Sequence, residues 1–228
     1  MKLFIGTSGW FYNWNEGKSL DWYVNHSGLN AIELNMSFYR FPYPNMVKSW
    51  SKKGKNLAWV IKVHRSITHL KKLNKESYNI FERFQKIFEP LGNSIHYYLL
   101  QLPPRFSNID VLESFIEEFK CEKLCVEFRN QSFFSDEIIL WGKKKGILIV
   151  SSDSPDLPRK IMSDRIIYER IHGRTDWYSH NYTTQELLEI KNIIFGGKPE
   201  KIYVFFNNNH AMLENARAMQ KIIFNEEK

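Results

Sequence analysis

The sequence has 228 residues, of which 43% are hydrophobic and 15% aromatic, enough to build the core of one domain. No stretch approaches the roughly 20 apolar residues that a membrane-spanning helix needs, which excludes an integral helical membrane protein. Cys121 and Cys125 lack a second pair for a zinc site and suggest no disulfide framework, so we expect inert thiols. The first apolar run begins at Leu3 and leaves no room for a signal peptide, so we expect a cytoplasmic protein.

The charge balance favours anionic partners. The chain carries 32 basic and 25 acidic residues, which gives a net charge of +7 and a pI near 9.2. We therefore expect the partner to be an anionic small molecule or nucleic acid. Short lysine runs near 52–53, 71–72 and 143–145 fall at the ends of different predicted helices, which favours a solvated surface over a dedicated nucleic-acid track. The sequence leaves the oligomeric state open.

Eight short runs rich in β-branched and aromatic residues recur along the chain, and each ends in a polar or charged residue. They are nearly continuous in apolar residues, a pattern typical of strands buried on both faces of a parallel sheet. Helical spacing occurs between most of them, which predicts a single (β/α)8 TIM-like barrel domain over residues 1–228. The runs are 3–7, 31–35, 58–64, 96–101, 124–129, 146–153, 166–172 and 202–207.

The helices between these runs are predicted from apolar periodicity and capping residues. Thr183 precedes Glu186 by three residues, the spacing of a capping box, while Asn108 and Ser132 are plausible N-caps for two other helices. The segment after the sixth run contains two prolines in 154–158, so the helix there should be short or missing. The predicted helices are 20–27, 43–53, 77–90, 108–120, 132–145, 184–194 and 211–224.

Titratable residues stand at the carboxyl ends of the runs, where barrels of this class place their chemistry. Four of them are candidate catalytic residues: Glu33, Lys62, Glu127 and His172. We expect Glu127 to act as base or nucleophile and Glu33 as the second carboxylate. His172 would donate a proton, and Lys62 would stabilise developing negative charge.

Other strand-end residues are expected to hold the substrate. Two arginines could clamp a phosphate or carboxylate through bidentate hydrogen bonds, while aromatic side chains in the following loops could stack on a base or a sugar. The aromatic side chains could equally pack over the barrel as loop structure. The predicted substrate-binding residues are Arg129, Arg170, Asn207, Asn35, Gln101, Asp153, Trp10 and Tyr39.

Two further interpretations of the same residues stay open. The charges could form a buried ring of ion pairs that ties the strands together, although so many charges would be a costly way to do so. Glu33, Glu127, Asp153 and His172 are also suitable metal ligands, yet the neighbouring cations would repel a divalent ion. We therefore predict no cofactor, with a divalent metal as the alternative. His69 lies beyond its strand, and we expect it to be a surface loop histidine.

The motifs at these strand ends resemble, as a set and in order, the YecE-like family, domain of unknown function 72. They are Gly6-Thr7-Ser8-Gly9-Trp10, residues 32–40, Lys62 with Ile67-Thr68-His69, residues 100–106, Val126-Glu127-Phe128-Arg129, residues 170–174 and Phe205-Phe206-Asn207-Asn208. The resemblance implies a TIM-like barrel and no established reaction. The sequence differs from the family pattern in a compact loop over 11–17, and in Asn130 and Phe133 where histidine and tryptophan are usual.

Three functions fit these features. The first is an enzyme acting on a phosphate-bearing nucleotide or nucleic acid, with hydrolase or phosphodiesterase-like chemistry. The second is a metal-independent sugar-processing enzyme that uses its paired glutamates as acid and base. The third is a non-catalytic barrel that binds nucleic acid through its positive charge and aromatic rim.

Overall fold

A computed structural model of the protein describes residues 1–225. Its strands are β1 (Lys2–Ser8), β2 (Ala31–Leu34), β3 (Ala58–Lys62), β4 (Ile95–Gln101), β5 (Leu124–Glu127), β6 (Leu148–Ile149), β7 (Ser151–Asp153), β8 (Ile166–Ile171) and β9 (Lys201–Phe206). Its α-helices are α1 (Leu20–His26), α2 (Met36–Tyr39), α3 (Pro44–Lys53), α4 (Tyr78–Phe88), α5 (Ile109–Phe119), α6 (Asp136–Lys145), α7 (Thr184–Phe195) and α8 (Met212–Asn225). Within 1–225 no helix has the length and apolar character needed to cross a membrane.

The strands form one parallel sheet in the order β6-β5-β4-β3-β2-β1-β9-β8-β7. Its two ends, β6 and β7, are two pieces of the same run, separated by Val150 alone. β6 pairs with β5 and β7 pairs with β8, so this run closes the sheet into a barrel. The predicted (β/α)8 barrel is therefore confirmed, with its sixth strand divided in two.

Seven of the described helices occupy the predicted places, with bounds that differ by a few residues, whereas the short helix α2 was not predicted. α6 differs most, because it begins at Asp136 with Ser135 at its N-cap. The expected N-cap, Ser132, lies instead in a short 3-10 turn that the Asn130 side chain caps, so that prediction was wrong. Asn108 does cap α5. No helix forms over 154–165, between β7 and β8, as the prolines there predicted.

Alternate residues of each strand point into the barrel or out towards the helices. The outward residues join the helices in the larger core, in which Trp59, Phe81 and Phe115 are fully buried. The inward residues form a second cluster inside the barrel. Its buried apolar members are Ala31, Ala58, Val60, Leu99, Cys125, Val150, Tyr168, Tyr203 and Phe205. The same inward rows continue to the carboxyl ends of the strands, where they become polar.

The capping box of α7 is a local feature that can be tested separately. The Thr183 hydroxyl accepts a hydrogen bond from the Glu186 N–H, and the Glu186 carboxylate accepts one from the Thr183 N–H at 2.8 Å. We expect Thr183→Ala to lower the free energy of unfolding by about 1 kcal/mol. The neighbouring Thr184 is exposed and forms no cap, so Thr184→Ala is the matched control in urea unfolding. Equal effects of the two substitutions would contradict the assignment.

Candidate functional site

A fully buried arginine joins two carboxylates across the carboxyl end of the barrel. Arg170 on β8 donates from Nε to Glu33 Oε2 at 2.9 Å and from Nη2 to Glu33 Oε1 at 2.6 Å. Its Nη1 donates to Glu127 Oε2. All three side chains have no exposed surface. Burial opposes the charge of Arg170, yet the two glutamates outweigh it and raise the arginine pKa further.

Hydroxyl groups complete the bonding of the two glutamates. Glu33 accepts from Tyr168 Oη at 2.5 Å and from Ser8 Oγ at 2.7 Å, and Glu127 Oε1 accepts from Ser152 Oγ at 3.3 Å. Burial and the neighbouring Glu33 raise the pKa of Tyr168 well above 10, so the phenol stays a hydrogen-bond donor. Tyr168 stands two residues before Arg170 on the same strand, and strand alternation places both inside the barrel.

Arg129 and His172 extend the network from Glu127. Arg129 Nη2 lies 2.9 Å from Glu127 Oε1, and His172 Nε2 lies 2.9 Å from the same oxygen. Burial opposes ionisation of Glu127, but the charges of Arg129 and Arg170 prevail and hold its pKa well below 4.5. Glu127 is therefore an ionised and weakly basic carboxylate.

His172 is neutral in this network. Burial, followed by the charges of Arg129 and Arg170, lowers its pKa well below 6.5. Nε2 lies near both Glu127 Oε1, at 2.9 Å, and Arg129 Nη2, at 3.0 Å; we assign the proton to Nε2, from which it is donated to Glu127. Nδ1 then accepts from Asn207 Nδ2, 3.3 Å away. The imidazole is held from both sides, and this places His172 and Asn207 where their strand-end positions predicted.

Lys62 stands beside this network, and its Nζ forms no hydrogen bond to any described residue. Its side chain is 6% exposed, and Nζ lies 4.2 Å from the centre of the Phe38 ring. Burial and the charge of Arg170 lower the pKa of Lys62 to about 7, against the pull of the two glutamates. At neutral pH the amine therefore exchanges between its charged and neutral forms.

The titration of Lys62 can be observed directly. We expect the ¹³Cε resonance of Lys62, assigned by its loss in Lys62→Arg, to shift with a midpoint at about pH 7. If the ¹³Cε shift of Lys62 shows no inflection near neutral pH, the amine is not both buried and unpaired. The charged or titratable groups that act on it are Arg170, Glu127, Glu33, Arg129 and His69.

Arg129 faces the network on one side and a pocket on the other. Its Nε is buried without a partner in the described residues, and its guanidinium carbon lies 4.4 Å from the centre of the Trp177 ring. Gly173, with φ of 126°, makes the turn that brings Trp177 back towards the barrel. The pocket has a volume of about 470 Å³, and its lining includes Gln101, Gln131 and Tyr178.

A second pocket of about 600 Å³ lies over β1 and β2, against α1 and α3. It contains three of the predicted substrate-binding residues, Trp10, Asn35 and Tyr39. Trp10 packs edge-on against Trp50, and Asn35 has a buried Oδ1 without a partner in residues 1–225. Three of the predicted substrate-binding residues thus line this pocket, while Gln101 and Arg129 line the other.

Asp153 lies outside the buried network and lines neither of these two pockets. Its carboxylate accepts from Tyr182 Oη at 2.6 Å and from Arg174 Nε at 3.2 Å. The neighbouring Ser152 faces Glu127, so alternation turns Asp153 away from the interior of the barrel. Its contacts are those of a structural residue that holds the loop after β8.

His69 lies at the site, where the sequence suggested a surface loop. It belongs to a single turn of π-helix, Ser66–Leu70, and its ring meets Phe38 edge-on at 5.0 Å between centres. Burial, and then the charges of Lys62 and Arg129, lower its pKa below 6.5. Strand periodicity could not predict that His69 lies at the site, because His69 belongs to a π-helical turn after β3. Ser152 and Tyr168 were missed as site residues, although the inward parity of their strands would have indicated them.

The described residues do not group three His, Cys, Asp or Glu side chains in a way that could hold a metal ion. The acidic oxygens of Glu33 and Glu127 are directed at Arg170, whose guanidinium occupies the space between them. The metal alternative therefore has no preformed ligand set in residues 1–225.

A closed parallel barrel with a buried acid, arginine and histidine network at its carboxyl end defines the class of this protein as a TIM-like barrel. The chain belongs to the family described as "Protein of unknown function DUF72", whose model matches residues 4–228. The family resemblance drawn from the sequence motifs is thus confirmed.

Solved structures agree with this membership. A DUF72 family protein from Thermotoga maritima has a TM-score of 0.85 and 26% identity, over 98% of this chain and 100% of that one. One from Enterococcus faecalis has a TM-score of 0.86 and 21% identity, over 97% and 95%. 3-Keto-L-gulonate-6-phosphate decarboxylase from Vibrio cholerae shares the fold alone, with a TM-score of 0.56 and 10% identity over 99% of each chain. A comparison with curated proteins finds no match.

Proposed function

We propose that this protein is an enzyme that binds a phosphate-bearing substrate, a nucleotide or nucleic acid among the possible classes, at the carboxyl end of its barrel. The observation that carries the proposal is Arg129. One of its nitrogens bonds to Glu127, while Nε is buried without a partner and the residue lines an open pocket. A guanidinium that lines a pocket and keeps one nitrogen without a partner is suited to an oxyanion.

The charges around Arg129 support an anionic ligand. Glu33 and Glu127 supply two negative charges, and Arg170 and Arg129 supply two positive ones. Lys62, when protonated, adds a positive charge that no described carboxylate neutralises by a salt bridge. A phosphate in the pocket would balance this excess and complete the bonding of Arg129.

The chemistry proposed for the site assigns different tasks to its members. Glu127 is held as a carboxylate by two arginines, so it orients Arg129 and His172 and is a poor proton acceptor. Lys62 is the group that exchanges a proton near neutral pH, and it is the preferred acid or base. Trp177, stacked on Arg129, could also cover a bound sugar or base. The decarboxylase from Vibrio cholerae is named for a phosphate-bearing substrate. It shares only the fold with this chain, so its support for the proposal is an analogy of fold.

The paired-glutamate alternative is less well supported. A glycosidase needs one carboxyl group protonated and both accessible to the sugar. Here Glu33 and Glu127 have no exposed surface and share one guanidinium between them. The low pKa of Glu127 also makes it a poor general acid.

Calorimetric titration with inorganic phosphate, ribose 5-phosphate, AMP and a single-stranded oligonucleotide tests the proposal. We expect Arg129→Ala to weaken phosphate binding about tenfold or more, since a hydrogen bond to a charged group is worth about 1.5 to 3 kcal/mol. Arg129→Lys keeps the charge but loses the fork geometry and should fall between the two. Arg105, exposed in the loop after β4, provides the matched control Arg105→Ala.

Unchanged affinity in Arg129→Ala would reduce Arg129 to a structural ion pair. Binding abolished by a chelator would restore the metal alternative. Oligonucleotide binding that falls steeply with salt, with no binding of ribose 5-phosphate or AMP, would favour the non-catalytic nucleic-acid barrel.

A further inference from the structure

Lys62 is fixed in place more firmly than a surface lysine. It ends β3, and its backbone carbonyl accepts a hydrogen bond from Ser37 Oγ at 2.6 Å. Phe38, the next residue of α2, places its ring beneath the ammonium nitrogen at 4.2 Å. The side chain is therefore held at both its backbone and its tip, with little rotamer freedom left to lose on binding.

Among the described residues, Lys62 lacks the ion-pair partner that a structural lysine would have. The nearest carboxylates are already used, because Glu33 bonds to Arg170 and Glu127 bonds to Arg170 and Arg129. Within residues 1–225 Lys62 forms no ion pair and no hydrogen bond through Nζ. Two fixed arginines and a 6% exposed side chain both favour the neutral amine. A neutral amine carries a lone pair that an ammonium lacks, so it can act as a nucleophile.

We propose that Lys62 is a nucleophilic amine that condenses with the aldehyde or ketone carbon of the phosphate-bearing substrate. This inference rests on the proposed function, since a phosphate bound at Arg129, whose charge acts on Lys62, would hold the carbonyl compound near the amine. It names the substrate class as a phosphorylated carbonyl compound, such as a sugar phosphate in its open-chain form. It also assigns Lys62 a covalent role, beyond the stabilisation or transfer of charge.

The step balances without an oxidant or a reductant. The Nζ lone pair forms a bond to the carbonyl carbon, while the carbonyl oxygen takes up a proton and the nitrogen loses one. The resulting hydroxyl is then protonated and leaves as water, which gives the iminium. Loss of the proton on its nitrogen gives the neutral imine. His69, a partly buried group on whose pKa the charge of Lys62 acts, is the candidate to exchange these protons.

Reductive trapping tests this inference. The full chain is incubated with dihydroxyacetone phosphate and sodium borohydride, and the adduct is located by peptide mass spectrometry. We expect one adduct at Lys62, and none at Lys53, which lines the other pocket in an ion pair with Asp21. Unphosphorylated dihydroxyacetone should need about tenfold higher concentration or more, because it lacks the charge-assisted bonds to Arg129.

Two variants keep the result interpretable. Lys62→Arg keeps a cation and should lose the adduct. Lys62→Met removes an unpaired buried cation at similar volume, so we expect it to fold and also to lose the adduct. Lys53→Arg serves as the matched control and should be trapped like the wild type.

The outcomes separate the two proposals. Phosphate binding without an adduct at Lys62 would overturn the covalent role and leave the proposed anion site standing. An adduct at Lys62 with dihydroxyacetone that the phosphate does not improve would support the amine and contradict the anion site. Equal labelling of Lys62 and the exposed lysines would overturn the inference, since it would show no special reactivity.

Discussion

Arg170→Met should destabilise the protein by about 3 to 5 kcal/mol, the cost expected when one partner of a buried ion pair is removed. Arg170 is bonded to both Glu33 and Glu127, and none of the three side chains is exposed. Methionine fills similar space and leaves two buried carboxylates without their shared cation. The free energy of unfolding, measured with urea near pH 7, gives the size of the loss.

A surface pair provides the control for this substitution. Arg165 makes a bidentate contact with Glu200, but the two side chains are 71% and 64% exposed. Arg165→Met should therefore cost about 1 kcal/mol or less. Adding Glu33→Gln and Glu127→Gln to Arg170→Met should recover part of the loss, because the uncompensated charges are removed. A loss as small as that of Arg165→Met would mean that the carboxylates take up protons or water in the variant.

The barrel could be predicted because a strand buried on both faces has a nearly continuous run of apolar residues. Runs such as 58–64 and 202–207 are apolar at successive positions, and this separates them from the amphipathic helices between them. The interruption at Val150 could not be predicted in the same way. It arises because the run pairs with β5 at its start and with β8 at its end, a relation between distant segments.

Much of the site followed from the fold, and the part that did not has a physical reason. The strand ends brought Glu33, Glu127 and Arg170 together as expected, since the carboxyl ends of all strands meet at one face. Asp153 is also at a strand end, yet strand alternation directs its side chain outward. This alternation could have excluded Asp153 from the predicted site. The stacking of Trp177 on Arg129 depends on loop conformation, which strand periodicity does not encode.

His172 should make the protein sensitive to mild acid. Its imidazole is buried next to Arg129 and Arg170, and its pKa lies well below the ordinary 6.5. In the unfolded chain the same imidazole takes up a proton as the pH falls through about 6.5. Between that pH and its lower folded pKa the unfolded state binds more protons, so the free energy of unfolding must decrease as the pH falls.

The expected contribution of His172 is a slope of about 1.4 kcal/mol per pH unit below pH 6.5, the value for one proton. His172→Gln should remove this part of the slope and leave the contributions of the other histidines, since glutamine does not titrate. Below about pH 4.5 a further loss should appear in both proteins, because the Glu127 carboxyl takes up a proton in the unfolded chain while its lower pKa keeps it ionised in the folded one. Urea unfolding from about pH 7.5 to about pH 4 measures both effects. Identical slopes in the wild type and His172→Gln would show that the folded imidazole accepts a proton, and that the two arginines do not govern its charge.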